Sequence, residues 1–126
     1  METHKLKFWS RITLIIFFVV AGVNHFVNPY FYYLIIPDYL SFPVLINNVS
    51  GVLELILAFG FMRKKTRVYS AYLTIAMLVA FIPSHIYFIK IGACVGNGFC
   101  MPIWVAWLRL LLIHPVLILW VWRSRK

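Results

Sequence analysis

Four long apolar runs, separated by short polar or aromatic segments, dominate the pattern of the chain. They cover approximately residues 8–26, 45–62, 68–89 and 103–122. Each run is close to the roughly 20 apolar residues that a helix needs to cross a bilayer. Pro83 is expected to kink the third run near its end, and Pro115 to interrupt the fourth. The pattern therefore predicts an all-α protein, an integral membrane bundle of four transmembrane helices in which residues 1–126 form a single domain.

The connections between these runs are short. Residues 28–43 contain Pro29, Pro37 and Pro43, which make one long helix unfavourable there. We expect this segment to lie at the membrane interface, where aromatic side chains concentrate. Four consecutive aromatic residues, Tyr30 to Tyr33, fit such a belt.

Composition strengthens the membrane interpretation. Hydrophobic residues make up 63% of the chain and charged residues only 12%, whereas a soluble domain carries about 25% charged residues. Three acidic and twelve basic residues are too few to solvate the surface of a chain of this size. A soluble domain is therefore excluded, and the lipid bilayer is the expected surrounding of the protein.

The basic residues account for a net charge of +9 and also predict the orientation. Ten of the twelve lie in three clusters at the ends of apolar runs: Lys5, Lys7 and Arg11; Arg63, Lys64, Lys65 and Arg67; Arg123, Arg125 and Lys126. Cytoplasmic segments of membrane proteins carry such an excess of lysine and arginine. The pattern predicts both termini and the middle loop in the cytoplasm. Because the clusters follow the span ends, no nucleic-acid partner is expected.

Two charged residues fall inside the apolar runs. A charged side chain near the bilayer centre costs roughly 2.5–3.5 kcal/mol on insertion scales, and residues that accept this cost usually face a partner inside the bundle. With a rise of 1.5 Å per residue, Glu54 lies roughly 14 Å and Arg109 roughly 9 Å below the outer surface. We therefore predict that Glu54 and Arg109 pair, either directly or through water. Such a pair could line a polar pocket or only set the register of two helices.

Three histidines accompany this pair in the same half of the predicted bundle. His25 ends the first run, His85 lies near the outer end of the third, and His114 lies deeper in the fourth. All four helices thus deliver polar groups to the outer half, which predicts a cavity on that side. His114 lies about 140° around an α-helix from Arg109, so both face one centre only if Pro115 distorts the turn. No spacing supports a metal site, and none is predicted.

The two cysteines, Cys94 and Cys100, lie together in the glycine-rich connection before the fourth run. On an oxidising side of the membrane they are expected to form a disulfide. This bond would act as a loop staple or, less in keeping with the spacing, as a redox-active pair, since redox motifs favour two intervening residues. Free thiols are the remaining alternative.

An ordered set of short motifs runs through the chain. It consists of AGVNHFVNPYFYYLIIPDYL at 21–40, SGVLE at 50–54, FIPSHIY at 81–87 and LRLLLIHPVLILWVW at 108–122. This series resembles the DoxX-like family of small bacterial membrane proteins. The family has an NHF-and-proline pattern, Gly-x-x-Glu, Pro-x-Asn or Pro-x-His, and Arg-Leu-Pro-x-Gln in the same order. The chain departs from the pattern with Leu111 in place of proline and Ile113-His114 near the glutamine.

The resemblance implies a multi-pass protein of the bacterial cytoplasmic membrane whose polar family positions fall on His25, Glu54, His85 and Arg109. Members are linked with thiosulfate:quinone oxidoreductase and with oxidative-stress assemblies. We therefore expect a redox-linked accessory whose pocket takes a quinone or a similar small molecule. The chain carries no haem, flavin or nucleotide motif, so the electrons would come from a partner protein.

Two other functions stay open. The pocket could bind or transport a small solute or a proton, which four short helices would achieve only as a homo-oligomer. Alternatively the chain could be a non-catalytic assembly subunit of a membrane complex. The residues do not decide whether the protein is an enzyme.

Overall fold

The computed structural model describes residues 2–96 and 98–126, which form seven α-helices and one π-turn. The helices are α1 (Glu2–Val27), α2 (Pro29–Ile35), α3 (Pro43–Gly60), α4 (Lys64–Ala80), α5 (Ile82–Lys90), α6 (Ile103–Leu108) and α7 (His114–Ser124), and the π-turn is Arg109–Ile113. The described residues contain no strand, only an isolated bridge between Cys94 and Cys100. The prediction of an all-helical chain is confirmed for these residues.

Four continuous helical stretches are long and apolar enough to cross a membrane. They are Thr3–Val27, Pro43–Gly60, Lys64–Lys90 and Ile103–Ser124, and each overlaps one of the four predicted runs. The third stretch is divided at Phe81, two residues before Pro83. The fourth continues through Pro115, but the turn just before this proline is widened into the π-turn. Pro83 therefore lies in the first turn of α5, directly after the break at Phe81, whereas Pro115 follows an irregular turn inside an unbroken stretch.

Contacts between the chain ends define one end of the bundle, which we call the basic end. The Arg11 guanidinium donates to the backbone carbonyls of Ser124 and Lys126, and so joins the start of α1 to the end of α7. Arg67 donates from Nε to the carbonyl of Phe61 at 3.1 Å, within the turn between α3 and α4. Basic side chains thus satisfy carbonyls at helix ends here, as expected for helix C-termini.

The opposite end, which we call the loop end, is formed by α2 and by residues 91–96 and 98–102. Phe31 of α2 packs edge-on against Phe99, with their ring centroids 5.4 Å apart. Cys94 and Cys100 are joined in a disulfide. Val95, which follows Cys94, is buried against Phe88 and Ala106. The disulfide therefore holds together a small cap that packs on α2.

Two apolar clusters fill the interior. The first joins α1, α3, α4 and α7 towards the basic end and includes Leu14, Phe18, Leu57, Phe61, Leu78 and Val121. The second lies under the disulfide loop and includes Phe88, Ala93, Val95 and Ala106, with Phe31, Leu34 and Ile35 packed against it. The candidate site lies between these clusters, and it shares Phe18 and Leu78 with the first and Phe31 and Ile35 with the second.

Candidate functional site

Helices α1 and α3 are in close contact at the candidate site. A Cβ atom added to Gly51 would lie 2.8 Å from the Cβ of His25 and 3.1 Å from the carbonyl oxygen of Gly22. Only a residue without a side chain allows two helices to come this near. Asn47 and Glu54 share the helix face of Gly51, one turn before and one turn after it. The His25 side chain therefore lies between the Asn47 amide and the Glu54 carboxyl group.

Asn47 binds both the ring and the backbone of His25. Its Nδ2 donates to the carbonyl oxygen of His25 at 3.0 Å, and its Oδ1 lies 2.7 Å from the ring Nδ1. In a regular helix the His25 carbonyl would accept from residue 29, but Pro29 has no N–H. Asn47 supplies the missing donor. Because an amide oxygen only accepts, Nδ1 of His25 carries the hydrogen of the second bond.

The other ring nitrogen of His25 faces Glu54. Nε2 lies 3.7 Å from Oε2 of Glu54, which is buried and has no hydrogen-bond partner among the described residues. Since Nδ1 already carries a hydrogen, a neutral His25 would present a lone pair to a carboxylate. At 3.7 Å the two groups are too far apart for a hydrogen bond. The geometry therefore places the Glu54 carboxyl group beside a histidine ring whose orientation Asn47 fixes.

Tyr32 covers the same histidine from the loop end. Its ring stacks on His25, with the centroids 3.8 Å apart and the planes inclined by 20°. Nδ2 of Asn24 donates to the Tyr32 hydroxyl at 2.7 Å, which leaves the phenol hydrogen free to donate elsewhere. Burial raises the pKa of Tyr32 above its usual value, so the phenol stays protonated. The Tyr32 ring thus turns inward onto a buried polar group, a contact that the sequence did not predict.

Two further histidines, one on α5 and one at the start of α7, contact each other. The rings of His85 and His114 lie 4.8 Å apart at an angle of 68°. Nε2 of His114 donates to the carbonyl oxygen of Leu78 at 2.6 Å, since a carbonyl can only accept. This bond ties the fourth span to the last turn of α4. The same hydrogen bond fixes the orientation of the His114 ring.

The π-turn explains how Arg109 and His114 reach one cavity. The N–H of His114 bonds to the carbonyl of Arg109, five residues earlier, instead of to residue 110. Pro115 has no N–H, and its ring would crowd the preceding turn of a regular helix. The widened turn accommodates an additional residue and reduces the angular offset between Arg109 and His114. The sequence predicted that Arg109 and His114 could share a cavity only if Pro115 distorted the helix, and the π-turn is this distortion.

The direct contact predicted between Glu54 and Arg109 is not formed. Glu54 instead pairs with His25, and the Arg109 guanidinium carbon lies 5.6 Å from the centre of the Phe88 ring. The α1–α3 contact at Gly51 turns Glu54 towards His25 rather than towards the fourth span. Among the described residues, no carboxylate forms an ion pair with Arg109.

All these groups surround one cavity of about 390 Å³. Its wall includes the five residues singled out in the sequence: His25, Glu54, His85, Arg109 and His114. It also includes Asn47, Tyr32 and Ser84, which the sequence analysis missed as site residues. Asn47 could have been found, because its spacing to Gly51 and Glu54 repeats one helix face. The remaining wall is mostly apolar, as is usual for small-molecule sites.

The cavity does not gather a metal-ligand set. In the part of the chain that the structure describes, no three histidine, cysteine, aspartate or glutamate side chains are placed to hold one ion. Within the wall, histidines act instead as hydrogen-bond partners of Asn47 and of the Leu78 carbonyl.

A family model described as Domain of unknown function (DUF8561) matches residues 14–125. No curated protein and no solved structure matches the chain. The matched range contains every residue of the cavity wall. The chain therefore belongs to the DUF8561 family.

Proposed function

We propose that the protein is a multi-pass protein of the bacterial cytoplasmic membrane that binds a quinone or a similar small molecule in the cavity beneath the loop end. The observation that carries this proposal is the composition of the cavity wall. The Arg109 guanidinium, which forms no ion pair among the described residues, and the adjoining side chains of His25 and Glu54 face about 390 Å³ of otherwise apolar space. A small ring compound with oxygen acceptors suits such a wall.

The membrane setting is supported by the outer surface of the helices. Large apolar side chains are exposed along all four candidate spans, for example Val20, Ile56, Leu73 and Leu111. Patches of this extent are unfavourable in water. The three basic clusters support an orientation in which the basic end, with both termini, lies in the cytoplasm.

Reporter fusions test this orientation. A fluorescent protein fused after Arg67 or after Lys126 is expected to fluoresce, and alkaline phosphatase fused after Asp38 is expected to be active outside the cytoplasm. The reverse pattern would overturn the orientation and would place the cavity in the cytoplasmic half.

Binding is favoured over passage through the bundle. The first apolar cluster fills the interior between the cavity and the basic end with side chains such as Leu14, Phe61 and Val121. A polar solute crossing this region would lose its hydrogen bonds without replacement. The resemblance to the DoxX-like family adds support for a redox-linked accessory whose electrons come from a partner protein.

Mass spectrometry of small molecules that co-purify with the protein tests the proposal. We expect a ring compound in the native sample and its loss from a Glu54→Gln/Arg109→Leu double variant. Asp38→Asn/Lys90→Leu is the matched control, because it removes one acid and one base that are exposed outside the cavity. The control should retain the compound.

Two outcomes would count against a binding function. If native and double-variant samples are both empty, and the double variant melts at a much lower temperature, the polar groups serve the fold, as in an assembly subunit. If the control loses the compound as completely as the double variant, binding does not depend on the cavity.

A further inference from the structure

We propose that the cavity takes its ligand as a monoanion, with an ionised oxygen placed against Arg109. This inference rests on the proposed function and narrows its ligand class. Amphipathic ring compounds with an acidic hydroxyl would bind better than neutral rings of the same shape. The argument depends on the charges that the cavity wall can carry.

The acidic group of the cavity wall faces a histidine and not Arg109. Glu54 is the acidic residue among the lining side chains that the structure describes. Its Oε2 faces Nε2 of His25 at 3.7 Å, and Asn47 holds the His25 hydrogen on the other ring nitrogen. Glu54 therefore faces the His25 ring rather than the Arg109 guanidinium.

In the part of the chain that the structure describes, no carboxylate contacts Arg109. A guanidinium stays protonated in proteins, and this one has the face of Phe88 rather than a carboxylate beside it. His85 and His114 add no negative charge in either protonation state, because histidine is neutral or cationic. Arg109 is therefore a cation of the cavity wall that has no ion-pair partner among the described residues.

An anionic oxygen of the ligand would supply the negative charge that the Arg109 guanidinium needs beside it. Cation–π contact with one ring replaces only part of the hydration of a guanidinium, and a charge left alone in low dielectric is unfavourable. The fork of N–H donors on arginine suits an oxyanion. The neighbouring apolar wall, which includes Phe31, Ile35 and Phe18, suits the hydrocarbon part of the ligand.

Two naphthoquinones of nearly equal size test the inference. 2-Hydroxy-1,4-naphthoquinone is ionised at neutral pH, whereas 2-methyl-1,4-naphthoquinone is neutral. Binding of each to the purified full chain in detergent is measured by isothermal titration calorimetry. Charge-assisted hydrogen bonds are about twice as strong as neutral ones. We therefore expect the hydroxy compound to bind at least about tenfold more tightly to the native protein.

Two variants link the preference to Arg109. Arg109→Gln should bind both compounds with similar affinity, and Arg109→Lys, which keeps the charge, should retain most of the preference. If Arg109→Gln does not fold, the comparison of native protein with Arg109→Lys still tests the inference, because both should favour the anion.

The outcomes separate this inference from the proposed function. Equal or tighter binding of the methyl compound to the native protein would overturn the monoanion and leave quinone binding in place. Failure of both compounds to bind would overturn the two proposals together. A preference for the hydroxy compound that survives in Arg109→Gln would also contradict the inference, because the anion would then be held elsewhere.

Discussion

Replacing Gly51 with leucine is expected to separate α1 from α3 and to destabilise the folded protein by several kcal/mol. Even the first carbon of a side chain would lie 2.8 Å from the Cβ of His25 and from a ring carbon of Phe26. Overpacking of this kind usually costs about 1–3 kcal/mol, and more where backbone has to move. Here it does, because the carbonyl of Gly22 lies 3.1 Å away. Thermal unfolding in detergent, followed by circular dichroism, measures the loss.

The same change should also empty the site, since His25 would move away from Asn47 and Glu54. Val52→Leu is the matched control, because it adds bulk to the next residue of α3, whose side chain is 44% exposed. The control should melt within a few degrees of the native protein. A Gly51→Leu protein as stable as Val52→Leu would contradict the close contact of α1 and α3.

Replacing Asn47 with leucine is expected to have the second largest effect. The side chain is 1% exposed, and its loss would leave the His25 carbonyl without the donor that Pro29 cannot supply. It would also leave Nδ1 of His25 without its acceptor. Hydrogen bonds between membrane helices contribute on average about 0.6 kcal/mol each, with a maximum of about 1.7. The loss of two such bonds predicts a destabilisation of roughly 1–3 kcal/mol.

A second readout distinguishes this role from simple packing. Without Asn47, the hydrogen on His25 is free to move to Nε2, so the NMR signals of the ring nitrogens should change their pattern. Asn48→Leu is the control, because the neighbouring amide is exposed and contacts Asn47 only at 3.4 Å. If Asn47→Leu and Asn48→Leu have equal stability and the same ring tautomer, then Asn47 does not orient His25.

The fold was largely predictable because its signals are local. Runs of about 20 apolar residues can satisfy their backbone groups in a bilayer only as helices, and the four candidate spans lie where these runs lie. The short helix α2 was not predicted. Pro29 and Pro37 indicated breaks on either side of it, but seven residues between two prolines carry no clear helical period.

The sequence predicted which residues belong to the candidate site, but not which of them contact each other. The cost of placing Glu54 and Arg109 in an apolar run indicates that each needs a polar environment. It does not indicate which neighbour supplies it. His25 was named as a site residue, yet its position between Asn47 and Glu54 depends on the distance between α1 and α3, which Gly22 and Gly51 permit. Tyr32 was assigned to the interface because aromatic residues usually lie there, and stacking on His25 depends on the path of the first connection.

By itself the sequence determined the number of candidate spans, the placement of the basic clusters at one set of span ends, and the residues that apolar surroundings make costly. These properties follow from composition and from spacing along one helix. Only the tertiary structure decided that Glu54 faces His25, that Arg109 has no acidic partner among the described residues, and that a π-turn brings His114 into the same cavity. Each of these depends on the rotation of one helix against another, and a shift of one residue, about 100° on an α-helix, changes which side chains meet.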